Sequence, residues 1–277
     1  MRVLRTIESF YPVMSGPANQ AYNISKRLEK KGIKSPILTT NFGSERRKKH
    51  EKMDGVEVFR FPIKWKFMKY FYTPDMKKML KGFDVVHAHN IRSYQTEVAH
   101  DIAQREGKPF VVTLHGALMG YRRHLKGIAK LPYIVYDLFI GRKIILNADA
   151  IIVNSKVEFK DALDYGIEKK KIHLIPVGIN VEDYKPMKKG KGIKVLFVGR
   201  ISRNRYIEPI IEAAALLKKK GVVKKKGIEF IIVGGEVKSS DTSKSGYLDE
   251  MKGLAKELGV SDCVKFAGEK RGAGLRK

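Results

Sequence analysis

The stretch 3-VLRTIESFYPVMSGPANQAYNISKRLEKKG-32 decides the fold. Val3 to Ile7 reads as a short strand, and Phe10 to Pro17 as a turn carrying Pro12, Gly16 and Pro17. Ala18 to Lys31 places Ala21, Tyr22, Ser25 and Leu28 on one helical face, with Gly32 as its C-cap. A further apolar run follows at Ile37 to Thr40. Strand, turn, helix and strand in this order make one βαβ unit, which predicts a parallel sheet flanked by helices.

The same alternation continues along the chain. Strands are predicted at Val56 to Phe61, Asp84 to His89, Phe110 to His115, Ala150 to Asn154 and Ile172 to Pro176, with Gly43 to Gly55 read as a charged connection. At 185-KPMKKGKG-192 basic residues, Pro and Gly replace the apolar periodicity, which marks a linker. The pattern then restarts with strands at Lys194 to Val198, Glu229 to Val233 and Val264 to Phe266, and with helices at Tyr206 to Lys220 and Tyr247 to Leu258. The expected architecture is therefore α/β, with two doubly wound Rossmann-like domains at residues 1–186 and 187–277. A nucleotide-binding half of this kind normally has more than three strands, so the second domain is expected to be incomplete.

Lys and Arg outnumber Asp and Glu by enough to give a formal charge of +27, so the surface attracts anions such as nucleic acid, acidic lipid or phosphorylated small molecules. No helix-turn-helix, zinc-finger or aromatic RNA-binding pattern accompanies that charge, and nucleic acid is not an expected partner. The single cysteine, Cys263, excludes an intramolecular disulfide framework and a Cys-rich zinc site. It suits a reducing interior, and the expected location is cytoplasmic. No run reaches the ~18 apolar residues that span a bilayer.

Several places carry candidate chemistry. Gly16 lies in the turn outside the carboxyl end of the first strand, where open α/β sheets bind ligands and helix amides can receive an anion. An equally good reading is a turn that merely needs a flexible residue. In 84-DVVHAHN-90 the spacing puts His87 and His89 on one face of a strand, which fits either a metal pair or rings hydrogen-bonded to neighbouring backbone. His115, followed by Gly116, is better placed to face a cleft and to hydrogen-bond or exchange a proton with substrate. In 198-VGRISRNR-205, Arg200 and Arg205 sit between a strand end and a helix, an arrangement suited to a diphosphate or else a solvated basic turn. Finally, 60-RFPIKWKFMKYFY-72 interleaves Lys64, Lys66 and Lys69 with Trp65, Phe67, Tyr70 and Phe71. Such a segment fits the interface of an anionic membrane, or partial burial against the domain.

Taken in order, the turn with Gly16, 84-DVVHAH-89, 113-TLHG-116, 148-ADAIIVNS-155, 175-IPVGINVEDYKP-186 and 198-VGR-200 resemble the retaining GT-B glycosyltransferases of family 4. The resemblance runs to about Gly268. It implies an N-terminal domain that binds a hydroxyl acceptor, a C-terminal domain that binds a nucleotide-sugar, and catalysis in the cleft between them without an essential metal or other cofactor. By position, it implies that Gly16 approaches the donor phosphates or the acceptor, His115 contacts the transferred sugar, and Arg200 binds the diphosphate. Arg205 stands where the family usually has Lys, and Ser15-Gly16-Pro17 replaces its usual paired glycines. The family's Glu-x7-Glu segment, which grips donor sugar and ribose, has no counterpart here. The expectation is a truncated enzyme, impaired in transfer, or alternatively a non-catalytic binder of glycans or anionic lipid.

Overall fold

The computed structural model describes residues 1–13, 15–68, 70–79, 82–124, 126–183, 192–236 and 246–270. They fall into two compact units, Met1–Ile179 and Asn180–Lys277. The predicted linker and the expected boundary at 186/187 lie outside the described residues.

In the first unit β1 (Val3–Thr6), α1 (Gly16–Lys30), β2 (Ile37–Thr40), β3 (His50–Met53) and β4 (Val56–Phe61) come first. A hairpin of β5 (Trp65–Phe67) and β6 (Tyr70–Tyr72) follows, then β7 (Val85–His89), α2 (Tyr94–Arg105), β8 (Phe110–Thr113) and α3 (Ala117–His124). Two short helices, α4 (Leu131–Tyr136) and α5 (Arg142–Leu146), flank a π-helical turn at Asp137–Gly141. β9 (Ala150–Val153), α6 (Lys156–Asp164) and β10 (Ile172–Leu174) complete the unit.

The eight strands of the main sheet run in the order β10-β9-β8-β7-β1-β2-β4-β3, parallel throughout except for β3 against β4. The order reverses between β1 and β7, so the carboxyl ends of those two strands open the crevice where doubly wound sheets bind ligands. β1, β2 and most of β7 are buried, as strands covered by helices on both faces should be. β3 was not foreseen: its sequence HEKM alternates exposed and half-buried residues at the sheet edge, so it carries no apolar signal.

Local capping explains the helix starts. Ser15, Ser93 and Ser155 are N-caps whose hydroxyls accept from the backbone N–H groups of Ala18, Thr96 and Glu158, at 3.2, 3.3 and 3.1 Å.

The second unit has β11 (Ile193–Val198), α7 (Glu208–Lys219), α8 (Val222–Lys226), β12 (Ile228–Val233), α9 (Tyr247–Glu257) and β13 (Val264–Gly268). Its sheet, β11-β12-β13, is parallel, with its own core around Ile211, Phe230, Ile232 and Tyr247. At the carboxyl ends of β11 and β12 the backbones touch: a Cβ on Gly234, where φ is +156°, would run into the carbonyl oxygen of Gly199. β11 is an edge among the described residues and leaves Ile193, Val195, Leu196 and Val198 exposed.

Candidate functional site

Arg5 is the root of the site. It sits on β1 opposite His87 of β7 and is 2% exposed, an extreme position for a guanidinium. Burial lowers its pKa to about 10, so it stays charged at neutral pH and can only donate. Its Nη1 donates to His87 Nδ1 at 2.8 Å and to His89 Nε2 at 3.1 Å, and its Nε to Ser35 Oγ at 3.1 Å.

That single fact orders the protons of three histidines. Burial first, and then neighbouring charge, hold His87 and His89 well below the usual histidine range, so both are neutral. With Nδ1 accepting, His87 carries its proton on Nε2 and donates to Thr113 Oγ1 at 2.8 Å. With Nε2 accepting, His89 carries its proton on Nδ1 and donates to His115 Nε2 at 3.0 Å. His115, pushed down to about 4 by burial, is therefore neutral with its proton on Nδ1. The rings stack in sequence, with centroids 4.6 Å apart for His87–His89 and 5.3 Å for His89–His115.

His115 stands just past the end of β8 in the left-handed region, φ 54°, followed by Gly116 at φ 77°. Asn90 (φ 68°) and Arg92 (φ 57°), just past β7, share that conformation. Backbone strain of this kind collects at functional sites. His115 is half-buried, not enclosed. Its Nδ1 lies 3.5 Å from Asn154 Nδ2, while Asn154 Oδ1 is buried without a partner. Turning that amide end for end gives Oδ1 the ring proton and satisfies both groups.

Glu158 locks the turn. This buried carboxylate accepts from the Gly116 N–H and from the Asn154 N–H, the latter at 2.7 Å. It thus joins the turn after β8 to the turn before α6. The Ser155-x-x-Glu158 spacing is a capping-box signature in the sequence, but its reach to Gly116 is not local.

Neither reading of His87 and His89 holds as first stated: they bond side chains, not backbone, and form a chain of donors. Among the described residues no group of three or more His, Cys, Asp or Glu is arranged to hold a metal ion. Gly16 is the first residue of α1, and a Cβ there would meet open space, so the chain's own packing does not demand glycine. Arg200 and Arg205 are exposed in the segment after β11, and among the described residues neither has a carboxylate partner. Arg203 between them, not singled out beforehand, is engaged: its Nη2 donates to both Glu250 oxygens at 2.6 Å, and it lies over the Tyr247 ring.

The chain matches Glycosyltransferase Family 4 over residues 14–183 and Glycosyl transferases group 1 over residues 180–273. The chain belongs to glycosyltransferase family 4. A D-inositol 3-phosphate glycosyltransferase of Acidothermus cellulolyticus is 27% identical over 196 residues, 67% of this chain and 42% of that protein. An alpha-monoglucosyldiacylglycerol synthase of Streptococcus pneumoniae is 24% identical over 97% of this chain and 61% of its own length. The chain spans about half the length of the curated relatives it matches. Among solved structures, HepE of Anabaena in complex with UDP superposes with a TM-score of 0.72 at 16% identity, over 98% of this chain and 70% of that one. Sucrose-phosphate synthase from Thermosynechococcus elongatus gives 0.70 at 17%, over 99% and 72%. These structures share the GT-B fold with this family 4 chain.

Proposed function

We propose that the protein transfers a sugar from a nucleotide-diphosphate sugar to a hydroxyl acceptor with retention of anomeric configuration. The observation that carries this reading is His115: a neutral ring of fixed tautomer, on a strained turn at the carboxyl end of a central strand, in a chain of glycosyltransferase family 4. Its Nε2 accepts from His89, and its Nδ1–H, which rests against Asn154, is the proton that a sugar hydroxyl or an acceptor oxygen would take over from that amide. Burial keeps the ring from becoming a cation, so it orients and polarises without placing positive charge beside an oxocarbenium-like centre.

In this proposal Arg200 and Arg205 hold the diphosphate and stabilise the charge that develops as it departs, and the open space at Gly16 admits donor phosphates or acceptor. Similarity to a structure solved with UDP supports a uridine nucleotide as the first donor to try. UDP should raise the melting temperature of the protein, and Arg200→Ala should abolish the shift. Equal shifts in both proteins would remove Arg200 from the site. Transfer is proposed to need no bound metal, so EDTA should leave turnover unchanged.

No helix among the described residues is long and apolar enough to cross a membrane. The basic and aromatic segment 60–72 forms the β5-β6 hairpin, in which Trp65 and Phe67 are exposed and Phe71 is buried. Phe71 is thus packed against the domain, and the exposed strand β5 is the one proposed for membrane contact. We place this hairpin at an anionic membrane surface, with the protein peripheral on the cytoplasmic face. Lys69 lies outside the described residues.

A further inference from the structure

Beside the hairpin lies a cavity of about 430 Å³, walled by Trp65, Tyr70 and Tyr72 on one side and by Arg92, Tyr133 and Tyr136 on the other. That is the size of a small-molecule site. Its chemistry is unlike that of a sugar site, because its lining is mostly apolar and the polar groups of Tyr70, Tyr136 and Arg92 are engaged within the protein. The hydroxyls of Tyr70 and Tyr136 donate to the two oxygens of Glu97, at 2.9 and 2.8 Å. Arg92 forms a fork on Asp137, with Nε and Nη2 at 2.8 and 2.6 Å, and two further N–H groups go to the carbonyls of Ala117 and Leu118. What faces the cavity is ring and methylene surface. The rings brace one another, with Trp65 stacked on Tyr72 at 5.6 Å and Tyr70 edge-on to Tyr136 at 6.4 Å.

The rim continues this character. Phe67 and Met68 at the hairpin tip are 61% and 50% exposed, and from Ile128 to Phe139 the chain turns Leu131, Val135, Leu138 and Phe139 to solvent. Scattered apolar residues are ordinary on a surface, but so many within a dozen consecutive residues, beside an apolar cavity, mark a binding surface. Asp137, the acidic group of this stretch, is neutralised by Arg92; Lys64 and Lys66 alternate with Trp65 and Phe67 and stand on the other face of the hairpin, with Lys66 Nζ over the Phe42 ring. An apolar hole beside an exposed apolar ridge, on a chain of net charge +27, fits the hydrocarbon end of an anionic amphiphile.

We infer that this cavity takes a hydrocarbon chain of an anionic membrane lipid while the Ile128 to Phe139 segment rests on the bilayer. Arg92 connects this cavity to the candidate site, since the carbonyls it holds lie two and three residues beyond His115. The lipid is thereby the acceptor whose hydroxyl is presented at His115; this last step rests on the transfer reading above, whereas chain binding does not.

Trp65, the protein's one tryptophan, stands in the wall and reports occupancy directly. Octanoyl, decanoyl and lauroyl lysophosphatidylglycerol, each below its micelle concentration, should shift and saturate its fluorescence, and affinity should rise roughly tenfold for each added pair of buried methylenes. Phe67→Ser and Tyr133→Ser should each weaken lauroyl binding at least severalfold. Should either variant fail to fold, vesicles of phosphatidylglycerol with brominated acyl chains provide a second reading on the unaltered protein, by quenching Trp65 beyond unbrominated vesicles. Affinity independent of chain length, an equal response to deacylated glycerophosphoglycerol or to maltose, or no quenching by brominated chains would each overturn the inference. No donor is present in these measurements, so a failure of sugar transfer and a failure of chain binding are told apart.

Discussion

Acidification should weaken the first unit in a way that one side chain controls. His115 has an ordinary pKa of 6.5 and is held at about 4 in the folded protein by burial. Its folded value is depressed, so between those two pH values the unfolded chain binds more protons than the native one, and stability falls as pH falls. The contribution is complete above about pH 6.5, is lost progressively down to about pH 4, and changes no further below that. At ~1.36 kcal/mol per pH unit, the gap is worth about 3 kcal/mol. His87 and His89 are depressed in the same direction and add to the slope. Trp65 lies in the first unit, so urea unfolding followed by its fluorescence reads that unit. The difference in stability between wild type and His115→Gln should change by up to about 3 kcal/mol across this window, with the variant the less acid-sensitive. A variant with unchanged pH dependence, or a His115 ring that titrates near 6.5 by NMR, would refute the burial argument.

Two further outcomes follow from the geometry. Glu158→Ala should free the N–H groups of Gly116 and Asn154 in a buried turn, cost about 2 to 3 kcal/mol, and broaden the His115 ring resonances; sharp, unshifted resonances would deny the clamp. Co-sedimentation with acidic liposomes should exceed that with neutral ones and weaken as salt rises, and binding indifferent to lipid charge would contradict membrane contact through Lys64 and Lys66.

Much of the framework was legible because buried parallel strands are short apolar runs, and every strand of the main sheet except β3 announces itself this way. The edge strand HEKM does not, since a strand half in water has no reason to be apolar. Nor did the β5-β6 hairpin, whose basic and aromatic residues read equally as surface or as packing. At the site, the shared face of His87 and His89 followed from period-two spacing, and His115 from its place at a strand end before Gly116. Arg5 did not: in VLRT a charged residue reads as the solvent side of a strand, and only the crossover that brings β7 beside β1 supplies the imidazoles that keep it buried. Arg92 and Asp137 are hidden for the same reason. Their pairing spans 45 residues, and neither neighbourhood carries a motif.

Sugar transfer assisted by His115 is the step to measure. The direct measurement incubates the protein with a UDP-sugar and vesicles of anionic hydroxyl-bearing lipid, then reads product mass and the anomeric coupling constant by NMR, for wild type and for His115→Ala. The account predicts a glycosylated product of retained configuration, with a turnover number lowered about a hundredfold in the variant and KM changed much less. Turnover equal in the two proteins, or a product of inverted configuration, would contradict it.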